Sequence, residues 1–257
     1  MGDYLEVIDG EASDWLRSQA TGATTTVETT RPASPGDPDP GAAESSRASS
    51  QLVTGGQMHL LLGCSIARDA GLKAGEDLIL NRALGGNTWK RAADTIQHDL
   101  EIWETAAAAF GLERGRVIFW FSGNEAYDRR TGCNRLNEEP RGPLESTIAY
   151  VVNTAVQNQG RPLILGPLPR FGIDRMLPWE HTAAYKLDRK VKEVANEAEF
   201  LSLGKALTKK LRRRHVIVEE CRDWFRTDGV HLSREGYHKV AQATLFPGWL
   251  AVNSNGL

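Results

Sequence analysis

The sequence predicts a three-layer α/β/α sandwich around a mainly parallel five-stranded sheet. Short apolar runs alternate with longer segments whose apolar residues recur at helical spacing, which is typical of parallel βαβ units. Small or polar residues interrupt the chain directly after the apolar runs. Because right-handed crossovers place helices on both faces of such a sheet, a single domain over about residues 58 to 250 accommodates all of these elements.

The predicted strands are short runs rich in Leu, Ile, Val and aromatic residues. A continuous apolar run of this length is typical of a strand that is buried on both faces. Five such strands are predicted, at Met58–Leu62, Asp77–Leu84, Arg116–Phe121, Arg161–Gly166 and Val216–Val218.

The predicted helices have apolar residues three and four positions apart on one face. Thr88 can cap the first long helix, because a threonine hydroxyl accepts a free backbone N–H there, and Gly111 and Gly115 bracket its exit. The basic segment Lys205–Arg214 is also expected to be a helix, with an apolar stripe on its Leu residues four apart. The other helices are predicted at Trp89–Phe110, Leu144–Val156, Trp179–Phe200 and Arg234–Leu245.

Residues 1–57 differ in composition from the rest of the chain. From Ser18 to Ser50 the chain is dominated by Thr, Ser, Ala, Pro and Gly, and it has too little apolar surface to offset the entropy lost on ordering. We therefore expect residues 1–57 to be a disordered, acidic segment. Within it, the stretch from Tyr4 to Leu16 is either a short partner-docking motif or a frayed terminus.

Overall charge and composition argue against several classes of protein. A net charge of -2 gives no whole-chain argument for nucleic-acid binding, and no apolar stretch approaches the roughly 20 residues of a membrane span. The first residues are acidic, unlike a secretory signal, so we expect an intracellular, cytoplasmic protein. The sequence does not indicate an oligomeric state. No metal or other cofactor is expected, because no metal-ligand spacing links Cys64, Cys133, Cys221, His59, His98, His181 and His238.

Polar residues follow four of the predicted strands. The carboxyl ends of parallel strands lie at the same edge of the sheet, so these residues are expected to lie close together. Ser65, Gly86 and Asn124 follow the first three strands, and Asp228 and His231 follow the last. Ligands bind at this edge in open α/β sheets. Acyl transfer to a serine needs a hydroxyl, a base, a group that orients the base, and donors for the developing oxyanion. The four loops supply a candidate for each part.

Each of these five residues also has a purely structural alternative. Ser65 could be a helix N-cap, Gly86 could be needed for backbone conformation only, and Asn124 could be an ordinary turn residue. Asp228 could cap the last helix. The three-residue step from Asp228 to His231 favours the functional alternative, because a turn can present both side chains to one side, and an imidazole with its pKa near neutrality suits proton transfer.

Four short blocks of the sequence resemble those for which the SGNH, or GDSL-like, hydrolase family is named. They occur in the family's order, and the resemblance covers about residues 58 to 246. The blocks are Gly63–Ser65, Asn81–Thr88, Ser122–Glu125 and Asp228–His231. The resemblance implies a flavodoxin-like α/β/α fold and a serine esterase that needs no cofactor.

The same resemblance implies a role for each candidate residue. Ser65 would be the nucleophile, His231 the base and Asp228 the carboxylate that orients it. The Gly86 backbone N–H and the Asn124 side-chain amide would be the oxyanion donors, together with the Ser65 N–H. A small-molecule or acylated ester, with a short acyl group such as acetyl, is the expected substrate.

Three residues depart from the family pattern. Cys64 and Glu125 stand where the family commonly has Asp, and Ser122 stands where it commonly has Gly. None of the three positions holds a catalytic atom in the family's mechanism, so the departures concern the packing around the site. Cys64 is a poor alternative nucleophile, because a residue inside the end of the strand would point into the sheet packing.

The alternative hypothesis is an inactive binding module with this fold. The basic segment Lys205–Arg214 suggests contact with nucleic acid, although it lacks interleaved aromatic residues. The chain is loosely similar to SGNH-type esterases that animal retroelements encode next to nucleic-acid-binding segments.

Substrate specificity is expected to lie in the loops Tyr127–Pro140 and Phe171–Trp179.

Overall fold

The computed structural model describes residues 56–127 and 143–243. Several expectations lie outside the described residues. They are the disorder of the N-terminal segment up to residue 55, most of the loop that follows Tyr127, the environment of Cys133, and the last helix beyond Ala243. Among the described helices, none is both long enough and apolar enough to cross a bilayer.

Five parallel strands form the central sheet, in the order β2-β1-β3-β4-β5. The neighbouring strands β1 and β3 end together, because Gly63 lies opposite Trp120 in the register. The strands are β1 Gln57–Gly63, β2 Leu78–Asn81, β3 Glu113–Trp120, β4 Arg161–Leu165 and β5 Glu199–Leu201. The predicted parallel five-stranded sheet is confirmed.

Helices cover both faces of the sheet, which confirms the three-layer sandwich. One apolar core lies between the sheet and α2, α3 and α5, and the other lies between the sheet and α1 and α6. The helices are α1 Ser65–Asp69, α2 Trp89–Ala109, α3 Pro143–Gln157, α4 Phe171–Asp174, α5 Ala183–Val194 and α6 Arg234–Ala243. As predicted, the Thr88 hydroxyl caps α2, and it accepts a hydrogen bond from the Arg91 N–H.

His59 interrupts the apolar run of β1 because its side chain takes part in the sheet. The Arg116 backbone N–H donates to His59 Nδ1 at 2.8 Å, and His59 Nε2 lies 3.3 Å from an Asp77 carboxylate oxygen. The imidazole occupies the space that a Cβ at Gly115 would need. Gly115 thus lies inside β3 and makes room for His59, and the prediction that it marks the exit of α2 is wrong. Burial lowers the pKa of His59 despite its Asp77 partner.

The fifth strand of the sheet is Glu199–Leu201, and its predicted position at Val216–Val218 is wrong. The predicted long helix from Trp179 to Phe200 is also divided: a 3-10 turn spans Trp179–His181, and α5 ends at Val194. Thr182 caps α5 by accepting the Tyr185 N–H at 3.1 Å. An edge strand of three residues carries too little alternation to be separated by pattern from the helix before it.

The basic segment is a β-hairpin, and the predicted helix at 205–214 is wrong. A 3-10 turn at Gly204–Leu207 leads into two antiparallel strands, β6 Lys209–Leu211 and β7 Arg214–Val216. Leu207 is completely buried whereas Leu211 is 45% exposed, so the two leucines do not share one helical face. The second strand was predicted at Asp77–Leu84, but the strand in the structure is the shorter β2, Leu78–Asn81.

Candidate active site

The structure brings Ser65, His231 and Asp228 together in one chain of hydrogen bonds at the carboxyl edge of the sheet. Ser65 Oγ lies 2.8 Å from His231 Nε2, and His231 Nδ1 lies 2.5 Å from Asp228 Oδ2. A proton on Nδ1 satisfies both contacts, because the imidazole then donates to the carboxylate and accepts from the hydroxyl. This is the arrangement of a nucleophile, a base and the carboxylate that orients the base.

Ser65 reaches this position because β1 ends two residues earlier, at Gly63, and α1 begins with the serine itself. The N-cap position of α1 belongs to Cys64, and no side chain caps that helix. The Ser65 hydroxyl is therefore directed to His231 and does not serve as a cap. The Ser65 backbone N–H lies in the first turn of α1, where N–H groups have no partner within the helix.

Asp228 is held by a tight turn. Its second carboxylate oxygen, Oδ1, accepts the backbone N–H groups of Val230 at 2.9 Å and of His231 at 3.0 Å. Partial burial raises the pKa of Asp228, but the hydrogen bonds from the His231 ring and from these two N–H groups outweigh it and lower the pKa overall. The cap of α6 is Ser233 instead, whose hydroxyl accepts the Gly236 N–H. The carboxylate thus stays ionised and faces the imidazole.

Asn124 lies beside Ser65 in a small cleft of about 250 Å³, a volume that includes space open to solvent. Its side-chain Nδ2 donates to the Asn87 carbonyl at 2.9 Å, and its Oδ1 accepts from the Arg170 guanidinium at 3.2 Å. These two contacts define which end of the amide is nitrogen. One Nδ2 hydrogen is thereby used, and no described residue is recorded as accepting the second.

Gly86 lies on the loop between β2 and α2. Its φ of +69° is in the left-handed region that favours glycine, in accord with the structural alternative. Gly86 is not among the described residues that line the cleft beside Ser65. The loop is nevertheless tied to the site, because its next residue, Asn87, accepts the hydrogen bond from Asn124.

Two of the three departures from the family pattern contact each other. Cys64 Sγ and Ser122 Oγ are 2.7 Å apart, and both residues are buried. Burial raises the pKa of the Cys64 thiol, so it stays protonated. Ser122 has a φ of +31°, unusual for a residue with a side chain and easily adopted by the glycine it replaces. The pair forms part of the packing next to Ser65.

The third departure, Glu125, has a structural role at the start of α2. Its carboxylate accepts the backbone N–H of Trp89, the first residue of that helix. A carboxylate at this end of a helix also interacts favourably with the helix dipole. Glu125 therefore links the block Ser122–Glu125 to the start of α2.

Arg170 is a site residue that the motif blocks do not include. It follows β4 at the carboxyl edge, lines the cleft with Ser65, and places its guanidinium carbon 4.4 Å from the centre of the Tyr127 ring. The Tyr127 hydroxyl donates to Asp174, which also accepts the Arg170 backbone N–H at 2.8 Å. Burial raises the pKa of both Tyr127 and Asp174. The place of Arg170 after the fourth strand is the signal that could have identified it.

The comparisons with known proteins show the fold. No family model and no curated protein matches the chain. A solved structure assigned to the G-D-S-L family of lipolytic proteins, from Desulfitobacterium hafniense, is similar with a TM-score of 0.50 at 17% identity; the match covers 72% of this chain and 96% of that one. An acetyl-xylooligosaccharide esterase from Geobacillus matches with a TM-score of 0.50 at 17% identity over 73% of this chain and 92% of that one. The chain has the SGNH, or GDSL-like, hydrolase fold.

The described residues contain no metal centre. Across 56–127 and 143–243, no group of three or more His, Cys, Asp or Glu side chains is placed to hold a metal ion. The chemistry available to the cleft from these residues is that of a hydroxyl, an imidazole, a carboxylate, an amide and a guanidinium.

Proposed function

We propose that the protein is a serine esterase of the SGNH type, which hydrolyses a carboxylic ester with a short acyl group. The observation that carries the proposal is the continuous hydrogen-bond chain from Ser65 through His231 to Asp228, with the Asn124 amide in the same cleft. The chain of contacts and the amide come from three separate loops. The loops of Ser65 and Asn124 follow β1 and β3 at the carboxyl edge of the sheet, where α/β enzymes bind their ligands.

In the proposed reaction, Ser65 Oγ attacks the ester carbonyl carbon while its proton passes to His231 Nε2. Asp228 remains ionised and stabilises the imidazolium through Nδ1–H. The negative oxygen of the tetrahedral intermediate accepts hydrogen bonds from the Ser65 N–H and from the second Nδ2 hydrogen of Asn124. We assign the Gly86 N–H as a further donor when substrate is bound.

His231 then returns the proton to the leaving alcohol, and the C–O bond of the ester breaks to leave an acyl group on Ser65. Water attacks this acyl-enzyme, gives its proton to His231, and releases the carboxylic acid as Ser65 regains its proton. The apolar Leu168 and Val230, which line the cleft among the described residues, support a short acyl group such as acetyl.

Hydrolysis of a short-chain aryl ester by the wild type and by Ser65→Ala tests the proposal. Loss of the nucleophile should lower kcat/KM by on the order of 10^4-fold. Ser146→Ala is the matched control, because it removes the same hydroxyl from an exposed position on α3 and should leave the rate unchanged. Equal rates for wild type and Ser65→Ala would refute the proposal and favour the inactive binding module.

A further inference from the structure

The β6–β7 hairpin carries a group of cations that have no acidic partner within the described part of the chain. Five side chains of this group are exposed, and none of them forms an ion pair with a residue in 56–127 or 143–243. They are Lys209, Lys210, Arg212, Arg213 and Arg214. Elsewhere many exposed cations are paired, as Arg175 is with Glu219. The hairpin therefore presents a concentrated positive surface.

A segment that contacts the hairpin exposes several apolar side chains. The segment Phe171–Pro178, here called the strap, exposes Ile173 by 40%, Met176 by 64% and Leu177 by 40%. Single exposed apolar residues are normal on a protein surface, but three within five residues form a patch. Leu211, 45% exposed, adds a fourth apolar side chain from the hairpin itself.

The backbone joins the strap to the hairpin. The Met176 N–H donates to the Ile217 carbonyl at 2.8 Å, directly after β7, and Pro178 forms a β-bridge with Val216. The strap thus meets the end of β7, at Val216 and Ile217. The strap and the hairpin are therefore neighbours, and we call their exposed side chains together the hairpin–strap surface.

The same strap begins at the catalytic cleft. The Phe171 N–H donates to the Gly229 carbonyl at 2.8 Å, in the loop that holds Asp228 and His231. The residue before the strap, Arg170, lines the cleft with Ser65. The strap therefore connects the proposed active site to the basic hairpin without an intervening element.

The chemistry of the hairpin–strap surface favours a lipid bilayer over a nucleic acid. No aromatic side chain of the hairpin or the strap is exposed, so bases have no ring on which to stack. Contacts to a phosphate backbone alone would not need exposed Met, Leu and Ile. Apolar side chains that enter the interfacial region while Lys and Arg contact anionic headgroups are the pattern of peripheral membrane binding.

We propose that the hairpin–strap surface binds the surface of an anionic lipid bilayer. Such binding is peripheral, and it does not depend on catalysis. A further consequence rests on the proposed esterase function: an ester carried by a lipid would reach Ser65 while the protein stays on the membrane.

Binding to vesicles tests the electrostatic part of the proposal. The full chain should bind vesicles of phosphatidylcholine with phosphatidylserine more tightly than vesicles of pure phosphatidylcholine. Changing Arg212, Arg213 and Arg214 to Gln should weaken this binding on the order of 100-fold. Each cation near an anionic membrane contributes about 1 kcal/mol, and about 1.4 kcal/mol corresponds to a tenfold change in affinity. The matched control removes Lys73, Lys90 and Arg91, which are exposed elsewhere, and should bind as the wild type does.

A second variant tests the apolar part and separates lipid from nucleic acid. Met176→Asn combined with Leu177→Ser should weaken vesicle binding about 10-fold, since it removes several exposed CH₂ groups. Asn suits position 176, where φ is +65°. A single-stranded RNA oligonucleotide is the competing ligand. RNA binding that depends on the three arginines, with no vesicle binding, would overturn the proposal.

Two further measurements separate this proposal from the esterase proposal. Ser65→Ala should bind anionic vesicles as the wild type does, even though it should not hydrolyse esters. The arginine variant should keep the wild-type unfolding temperature and the wild-type rate on a soluble ester, which excludes misfolding as the reason for lost binding. Equal binding of wild type and arginine variant to anionic vesicles would contradict the proposal.

Discussion

Two regions at the carboxyl edge of the sheet differ in how they are built. The candidate site takes Ser65 and Asn124 from loops after β1 and β3, which end in runs of buried residues, and hydrogen bonds join Ser65 to His231 and Asn124 to Asn87. The chain after the edge strand β5 instead forms a hairpin whose strands are three residues each and whose exposed cations form no ion pair with a residue in 56–127 or 143–243. The first region is suited to holding atoms in place, and the second to meeting a large charged surface.

Removing the base should have the largest effect on the first region. His231→Ala leaves Ser65 without a proton acceptor, so we expect kcat to fall on the order of 10^4-fold on a soluble ester. His238→Ala is the matched control, since His238 contacts only Gln242 among the described hydrogen bonds of α6. A His231→Ala rate within 10-fold of wild type would show that the hydrogen-bond chain does not perform the chemistry.

Removal of the Asn124 amide should have the next largest effect. Asn124→Ala should lower kcat 10²- to 10³-fold, the usual loss for one oxyanion donor. KM should change little, because the donor acts on charge that develops in the transition state. The matched control is Asn158→Ala at the end of α3, outside the cleft. A change confined to KM would assign Asn124 to substrate binding instead.

Asp188 links α5 to the start of the second region, because both of its carboxylate oxygens accept the Ser202 hydroxyl at 3.0 Å. Burial raises the pKa of Asp188 to about 6 despite that bond. The folded state therefore binds the proton more tightly than the unfolded state, and the free energy of unfolding falls as pH rises from about 4 to 6. Asp188→Asn should raise the free energy of unfolding by up to about 3 kcal/mol at pH 8 and should have little effect on it near pH 4.

Chemical denaturation at the two pH values measures this difference. Asp223→Asn serves as the comparison, because it removes the same charge from an exposed position. A stability gain at pH 8 that is absent at pH 4 fits burial of a carboxylate. The same gain at both pH values would show that titration of Asp188 is not the cause.

Arg170 should have the smallest of these effects, because it acts through Asn124. Arg170→Ala should lower kcat about 10-fold, the loss of one charged hydrogen bond to the amide, and Arg170→Lys should restore part of it. In the Asn124→Ala background the Arg170 change should cost nothing further, which a general loss of stability would not reproduce. Arg175→Ala in the strap is the control and should leave kcat unchanged. If the losses in kcat from Arg170→Ala and Asn124→Ala add in the double variant, Arg170 does not act by positioning Asn124.

Sequence reasoning succeeded where long buried runs end in short polar motifs. β1 and β3 could be located from their apolar residues, and Ser65 and Asn124 then follow at the ends of elements that must share an edge. Asp228 and His231 are three residues apart, so their common turn could also be anticipated. The parallel topology brings the loops of Ser65 and Asn124 to one edge. The loop of Asp228 and His231 was expected there because it follows Val216–Val218, which is not a strand of the sheet.

Other features depend on contacts that no local pattern contains. The place of His59 in an apolar strand is explained by Asp77 and by the Arg116 N–H, which are distant in sequence. Arg170 acquires its position from Tyr127 and Asn124 in another segment. The hairpin was mistaken for a helix because exposed strands of three residues have neither apolar alternation nor an apolar face.

The most direct test of the proposed chemistry is the site at which a fluorophosphonate probe reacts. Such probes modify a serine only when a neighbouring base activates it. We predict a single adduct on Ser65, found by mass spectrometry of the digested protein, and its loss in His231→Ala. An unmodified wild-type protein, or an adduct on another residue with Ser65 intact, would contradict the assignment of Ser65 as the nucleophile.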